Sequence, residues 1–139
     1  MIIHVVGSTA AARYRTEIDA DGHALVADEP AVLGGADAGA APFALVLAGL
    51  AACTGATLRM YAEHKGWPDI ALRIALQLEL GKEPRVIHRS VEVSGAPEAG
   101  LERLREIVER TPVTLALKAG FTISTVLDQA VAHQPGNAP

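Results

Sequence analysis

PFALVLAGLAACTGATLRMYAEHK, residues 42–65, is the stretch on which the reading of the fold turns. Its first sixteen residues, through Thr57, carry no charge, and they hold the only cysteine of the chain, Cys53. Pro42 suits the first turn of a helix, where its missing N–H costs nothing and its fixed φ is already helical. No further proline interrupts before Lys65, and the helix formers Ala, Leu, Met, Glu and Lys dominate. A helix of about 24 residues is roughly 36 Å long. Apolar side chains occur all round its first four turns, which predicts burial on every side. Small residues such as Ala44, Ala48 and Ala52 let other backbones come close. Gly49 and Gly55 each cost about 1 kcal/mol of helix propensity, so close packing is the expected compensation.

The same stretch has a rival reading as a membrane span. Its uncharged run falls short of the roughly 20 apolar residues a span needs. The residues after it, Arg59, Glu63, His64 and Lys65, continue the helix rather than form a loop. A core helix is therefore expected, with no membrane partner.

Half of the 139 residues are apolar, enough for one domain, residues 1–139, with a real core. Two Phe, two Tyr and one Trp leave that core to Ala, Leu, Val and Ile. A net charge of -4 argues against a nucleic-acid partner, which calls for a basic stripe. One cysteine cannot staple a fold, and Met1-Ile-Ile-His lacks the basic start of a signal peptide. The chain reads as cytoplasmic and reduced. A lone thiol there is either an inert core residue or a reactive group.

Outward from the helix, the pattern is one of strands. MIIHVV at the start is rich in β-branched residues and stops at Gly7-Ser8. RYRTEI places Tyr14, Thr16 and Ile18 on one face and Arg13, Arg15 and Glu17 on the other. Asp21-Gly22 is a strong hairpin signal, from which His23 to Asp28 returns. The glycine-rich segment from Glu29 to Ala41 is a loop feeding the helix. Asp37 lies too far upstream to cap it. Gly66-Trp67-Pro68 ends the helix. Ile70 to Leu80 alternates as a half-buried strand, and Arg85 to Ser94 returns with Ile87, Val91 and Val93 on one face. Pro97 to Arg110 is an amphipathic helix, with Leu101, Leu104, Ile107 and Val108 at helical spacing. It stops before Pro112. VTLALKAG shows too little pattern to assign. Phe121 to Asp128 reads as a last strand, and the tail from Ala130 should fray. The order is that of an α+β domain with antiparallel sheet. One small sheet covers only one side of the central helix, so a homodimer enclosing two such helices is expected.

Candidate chemistry is sparse. Cys53 sits some eleven residues into its helix, where the dipole helps a thiolate little, and it has no base beside it in sequence. His4, His23, His64, His88 and His133 are scattered, with no metal-ligand spacing, and the glycines form no phosphate loop. No cofactor is expected. Arg13 and Arg15 are ordinarily a solvated face and matter only if the fold brings one to Cys53.

Leu33 to Trp67, LGGADAGAAPFALVLAGLAACTGATLRMYAEHKGW, closely resembles the osmotically inducible protein C and organic hydroperoxide resistance (OsmC/Ohr) family. LERLREIVERTPVTLAL and the FTISTVL ending look like that family's second helix and last strand. The resemblance implies an OsmC-like fold: antiparallel sheets wrapped around a long central helix in an intertwined homodimer, with sites at the interface. It also implies thiol-dependent reduction of hydroperoxides. Cys53 matches the attacking cysteine, and Arg13 or Arg15 the arginine that holds it as thiolate. The glutamate position near the helix start is Ala44, the second-cysteine position is Thr111, and the histidine that often follows is Thr114. Threonine forms no disulfide, so the two-cysteine cycle is excluded. What remains is a one-cysteine peroxidase using an organic hydroperoxide and an external thiol. The alternative is a non-catalytic dimer that binds a small apolar ligand or a partner in the interface pocket.

Overall fold

The computed structural model describes residues 1–10 and 12–130. Alternating side chains organise its two antiparallel sheets. The first joins β1 (Val5–Thr9), β2 (Thr16–Ala20) and β3 (His23–Ala27) in the order β1-β2-β3. The tight turn between β2 and β3 falls at Asp21 and Gly22, both at positive φ, as the Asp-Gly pair requires. Two expectations are corrected here. The first strand starts later than Met1 and carries Gly7 and Ser8 within it, because these pair with Ile18 and Glu17. The alternation read through Arg13, Tyr14 and Arg15 does not hold either. Arg13 turns the chain at φ 51°, and β2 begins only at Thr16.

The glycine-rich loop is pinned rather than slack. A Cβ at Gly35 or Gly39 would collide with the backbone carbonyl of Glu29 or Val26, so only glycine lets these segments lie so close. A short parallel bridge between Ala27 and Ala40 ties the loop back to β3.

α1 (Pro42–His64) follows, with Pro42 in its first turn and no capping side chain at Ala41. It ends in a Schellman pattern: the Trp67 N–H bonds the Ala62 carbonyl at 2.8 Å, and Gly66 takes φ 74°. Trp67 meets Tyr61 edge to face, with ring centroids 5.7 Å apart. Gly100 lies against the indole, where any side chain would strike the ring.

Within one chain α1 is not buried all round, contrary to its composition. Only the stripe Leu50, Thr54, Leu58 and Ala62 is buried, at the i, i+4 spacing of a single face. Phe43, Val46 and Met60 are exposed on other faces. Nothing lies within 4 Å of where a Cβ on Gly49 would stand, whereas at Gly55 Ile74 lies at 3.2 Å. The reason is the one-sidedness of the cover: β4 (Ala71–Leu78), α2 (Glu98–Val108) and α3 (Pro112–Ala119) are the elements packed on α1. By length and hydropathy alone α1 would pass for a membrane span; here it carries the core.

β4 and β5 (Ile87–Ser94) form the second sheet, with Ile74 opposite Val91 and Leu72 opposite Val93 on the inward face. Leu58, Ala62, Ile70 and Leu104 make the buried core, with Leu101, Ile107 and Val108 of α2 closing over it. The unassigned VTLALKAG is helix α3, started by Pro112. The last strand expected over Phe121–Asp128 is also corrected. The chain leaves α3 at Gly120, and these residues form no strand and are exposed throughout. A strand needs a neighbour for its backbone hydrogen bonds, and no described residue pairs with this one. The tail expected to fray lies, from residue 131 on, outside the described residues.

Leu104 is 3% exposed at the centre of the core. Leu104→Ala is expected to cost about 2–5 kcal/mol, read as a lowered urea midpoint with the slope unchanged.

Candidate active site

Cys53 is half-buried on α1 and is the free thiol of the chain. Its own helix offers Sγ only the Thr57 hydroxyl, 4.0 Å away. A second helix supplies what α1 does not. The start of α3 comes up against α1, and the N–H of Val113 points at Cys53 Sγ with N···S 3.4 Å. Val113 is the second residue of α3, where backbone N–H groups have no partner inside the helix. An orphan amide at the positive end of a helix is a donor suited to sulfur carrying negative charge.

The placement of α3 depends on polar groups that the core would otherwise exclude. Thr54, Thr111 and Thr114 are all buried. Thr111 and Thr114 hydroxyls meet at 2.6 Å, and the Thr54 hydroxyl donates to the Leu50 carbonyl at 2.7 Å. Arg89 closes the group. One of its terminal nitrogens donates to Thr54 Oγ1 at 3.0 Å and to Thr114 Oγ1 at 2.8 Å; the other donates to the Val108 carbonyl at 2.8 Å. Glu109 lies 3.9 Å from the guanidinium and also binds Lys118 at 2.9 Å. The Lys118 hydrogen bond foremost holds the Glu109 carboxyl below its usual range; burial opposes it, and the charges of Lys118 and Arg89 add to it. An open groove of about 730 Å³ runs beside Arg89, Thr114 and Leu50, but Cys53 is not among its lining residues.

Arg13 and Arg15 are placed elsewhere in the chain. Arg15 binds Glu17 at 2.8 Å, and Arg13 lies over the Tyr14 ring, 5.5 Å from its centroid, and beside Gly34. The hydrogen-bonding partners of Cys53 in one chain are Thr57 and Val113, not these arginines. Both belong instead to the surroundings of the glycine-rich loop. Asp28, buried at the end of β3, accepts the N–H groups of Glu29 (2.8 Å), Ala36 (3.2 Å) and Ala38 (3.1 Å), and so folds that loop around one carboxylate. Ala44, which the resemblance sets at the family's glutamate position, is exposed in the first turn of α1, and Thr111 is fully buried. Among the described residues no three of His, Cys, Asp and Glu gather as a metal site.

Sequence reasoning missed Arg89, Asp28 and the Val113 amide. Arg89 had a signal. It occupies the row Ile87, Arg89, Val91, Val93 that faces inward from β5, so the alternation itself puts a cation into the core. Asp28 and the amide had none, since both depend on contacts between segments.

A family model described as OsmC-like protein matches residues 34–126. No curated protein matches the chain in sequence. Among solved structures it is similar to an organic hydroperoxide resistance protein OsmC from Legionella pneumophila, at TM-score 0.61 and 20% identity, over 85% of this chain and 90% of that one. An OsmC like protein from Mycoplasma pneumoniae gives TM-score 0.61 and 18% identity, over 85% and 88%. The organic hydroperoxide resistance protein OhrB of Bacillus subtilis gives 0.56 and 20%, over 85% and 91%. At these identities the likeness is one of fold.

The Ala38 N–H foremost holds the Asp28 carboxyl below the ordinary 3.8; burial opposes it, and the N–H groups of Glu29 and Ala36 and the Arg15 charge add to it. A depressed carboxyl contributes stability that is complete above its unfolded value and is lost as pH falls through the folded one. Asp28→Asn is therefore expected to lower the urea midpoint at pH 7, and the gap from wild type should close below about pH 4. Parallel curves across that window would remove the carboxylate from the account of the loop.

Proposed function

The chain belongs to the OsmC-like protein family, and we propose that it is a one-cysteine thiol peroxidase of the cytoplasm that reduces organic hydroperoxides. The observation that carries this reading is the Val113 N–H directed at the half-buried Cys53 sulfur. It gives a thiolate a charge-assisted donor, where the middle of α1 alone offers none. The Cys53 thiolate attacks one oxygen of the hydroperoxide, the O–O bond breaks, and the departing alkoxide takes a proton to leave as an alcohol. Cys53 is left as sulfenic acid. With Thr111 at the second-cysteine position, no internal disulfide follows. One external thiol condenses with the sulfenic acid, releasing water and forming a mixed disulfide; a second thiol restores Cys53 and leaves as the external disulfide.

A homodimer belongs to this proposal. Phe43, Val46 and Met60 on α1, Val5, Val6 and Leu25 on the first sheet, and Phe121, Ile123, Val126 and Leu127 after α3 are all exposed in one chain. Apolar exposure on that scale marks an interface. A second copy laid against α1 covers the faces its own chain leaves open and offers the last segment a strand to pair with. The same docking can bring Arg13 or Arg15 of one copy toward Cys53 of the other, which neither reaches as a hydrogen-bond partner within its own chain. The binding-only alternative has no observation of its own in its favour.

Peroxide consumption with excess dithiol is expected for wild type and is expected to fall to the background of dithiol alone in Cys53→Ser, with a mass gain of about one oxygen at Cys53 after a peroxide pulse. Equal rates in the two proteins would end the peroxidase reading. Sedimentation equilibrium should give twice the chain mass of 14.5 kDa; a single-chain mass would end the dimer.

A further inference from the structure

Arg89 stands on the inward face of β5, opposite Leu76, with its side chain 11% exposed. Taking a guanidinium out of water costs several kcal/mol unless its donors are met. A purely structural core has no need of that expense, since an apolar residue at such a position is often as stable or more so. What the cation does here is join three elements. Its bond to the Val108 carbonyl sits at the C-terminal end of α2, where carbonyls lack helical partners and a positive charge is favoured. Its bonds to Thr54 and Thr114 fasten α1, one residue beyond Cys53, to the first turn of α3, one residue beyond Val113. The two tied residues are thus the immediate neighbours of the sulfur and of the N–H that points at it.

We propose that Arg89 is a positioning residue for Cys53: by holding Thr54 and Thr114 on one guanidinium nitrogen, it sets the start of α3 so that the Val113 N–H meets the sulfur. This rests on the reading of Cys53 as the reacting thiol, and its consequence is chemical as well as structural. Without the tie, α3 keeps its helix but loses its register against α1, and the thiolate loses its donor. The charged groups around the knot are Arg89 from β5, Glu109 from the end of α2 and Lys118 from α3. α1 brings no charge near Cys53, because Arg59 is turned away onto Glu63 and the Ile70 carbonyl.

The test is the rate of Cys53 alkylation by iodoacetamide against pH, measured on the full chain without peroxide. Arg89→Met is expected to react about tenfold more slowly at pH 7, to recover the wild-type rate at high pH, and to exchange the Val113 amide faster. Arg89→Lys keeps the charge but not the fork, and should fall between the two. Thr114→Val removes only the α3 end of the tie and should shift the profile in the same direction; it decides the matter if Arg89→Met does not fold. Profiles that superimpose on wild type, or a faster reaction at pH 7, would overturn the proposal. A chain whose alkylation depends on Arg89 but which consumes no peroxide keeps this inference and loses the peroxidase. Equal alkylation with peroxide consumption intact loses this inference alone.

Discussion

A buried cation shared among three oxygen acceptors fixes the geometry on which everything near Cys53 depends. Arg89 reaches two threonine hydroxyls and a helix-end carbonyl at 2.8–3.0 Å. Among the described residues no buried side-chain nitrogen or oxygen is left without a partner. Completeness matters more than the worth of any single bond. A satisfied polar cluster in low dielectric is rigid, while a half-satisfied one costs more than an apolar core would. The threonines gain their significance from this cluster: Thr54 and Thr114 are acceptors for the guanidinium, and Thr111 bonds Thr114 in turn. Thr111, just before the proline that starts α3, is therefore part of the buried polar cluster that Arg89 closes.

The central helix sets the complementary constraint. Its first four turns are apolar around the whole circumference, yet one chain buries only the stripe of four residues from Leu50 to Ala62. The side toward β4, α2 and α3 is a conventional core with Leu58 and Leu104 at its centre. The other sides carry residues that water solvates poorly. Cys53, the one cysteine of the chain, sits on this helix with the Thr57 hydroxyl and the Val113 N–H as its hydrogen-bonding neighbours.

Most of the architecture was legible in the residues. The alternation read over Ile70–Leu80 and Arg85–Ser94 held through Ala71–Leu78 and Ile87–Ser94, with Leu80 exposed beyond the strand end, and the proline and glycine boundaries of α1 fell where propensity placed them. The failures share a cause. Phe121–Asp128 has a strand's alternation but no partner among the described residues, and a pattern of side chains cannot say whose edge a strand will join. Arg13–Arg15 continued an alternation that a turn at Arg13 breaks. The site was read only in part. Cys53 could be named from its surroundings in sequence, but its donor is a backbone amide sixty residues away, and backbone amides have no sequence signature. Arg89 is legible as a charge in the otherwise apolar row Ile87, Val91 and Val93, but the row does not say which oxygens it meets.

The bridge between Ala27 and Ala40 bears on how the molecule comes apart. β1, β2 and β3 hold one another through their own ladders, while α1, β4, α2 and α3 share a separate core. Contacts between the two groups are few, the arrangement from which separate cooperative units are expected in an isolated chain. The N-terminal sheet can open while the helical core stays shut. Amide protection across residues 5–27 then measures whatever that sheet leans against, and not the strength of its own ladder alone.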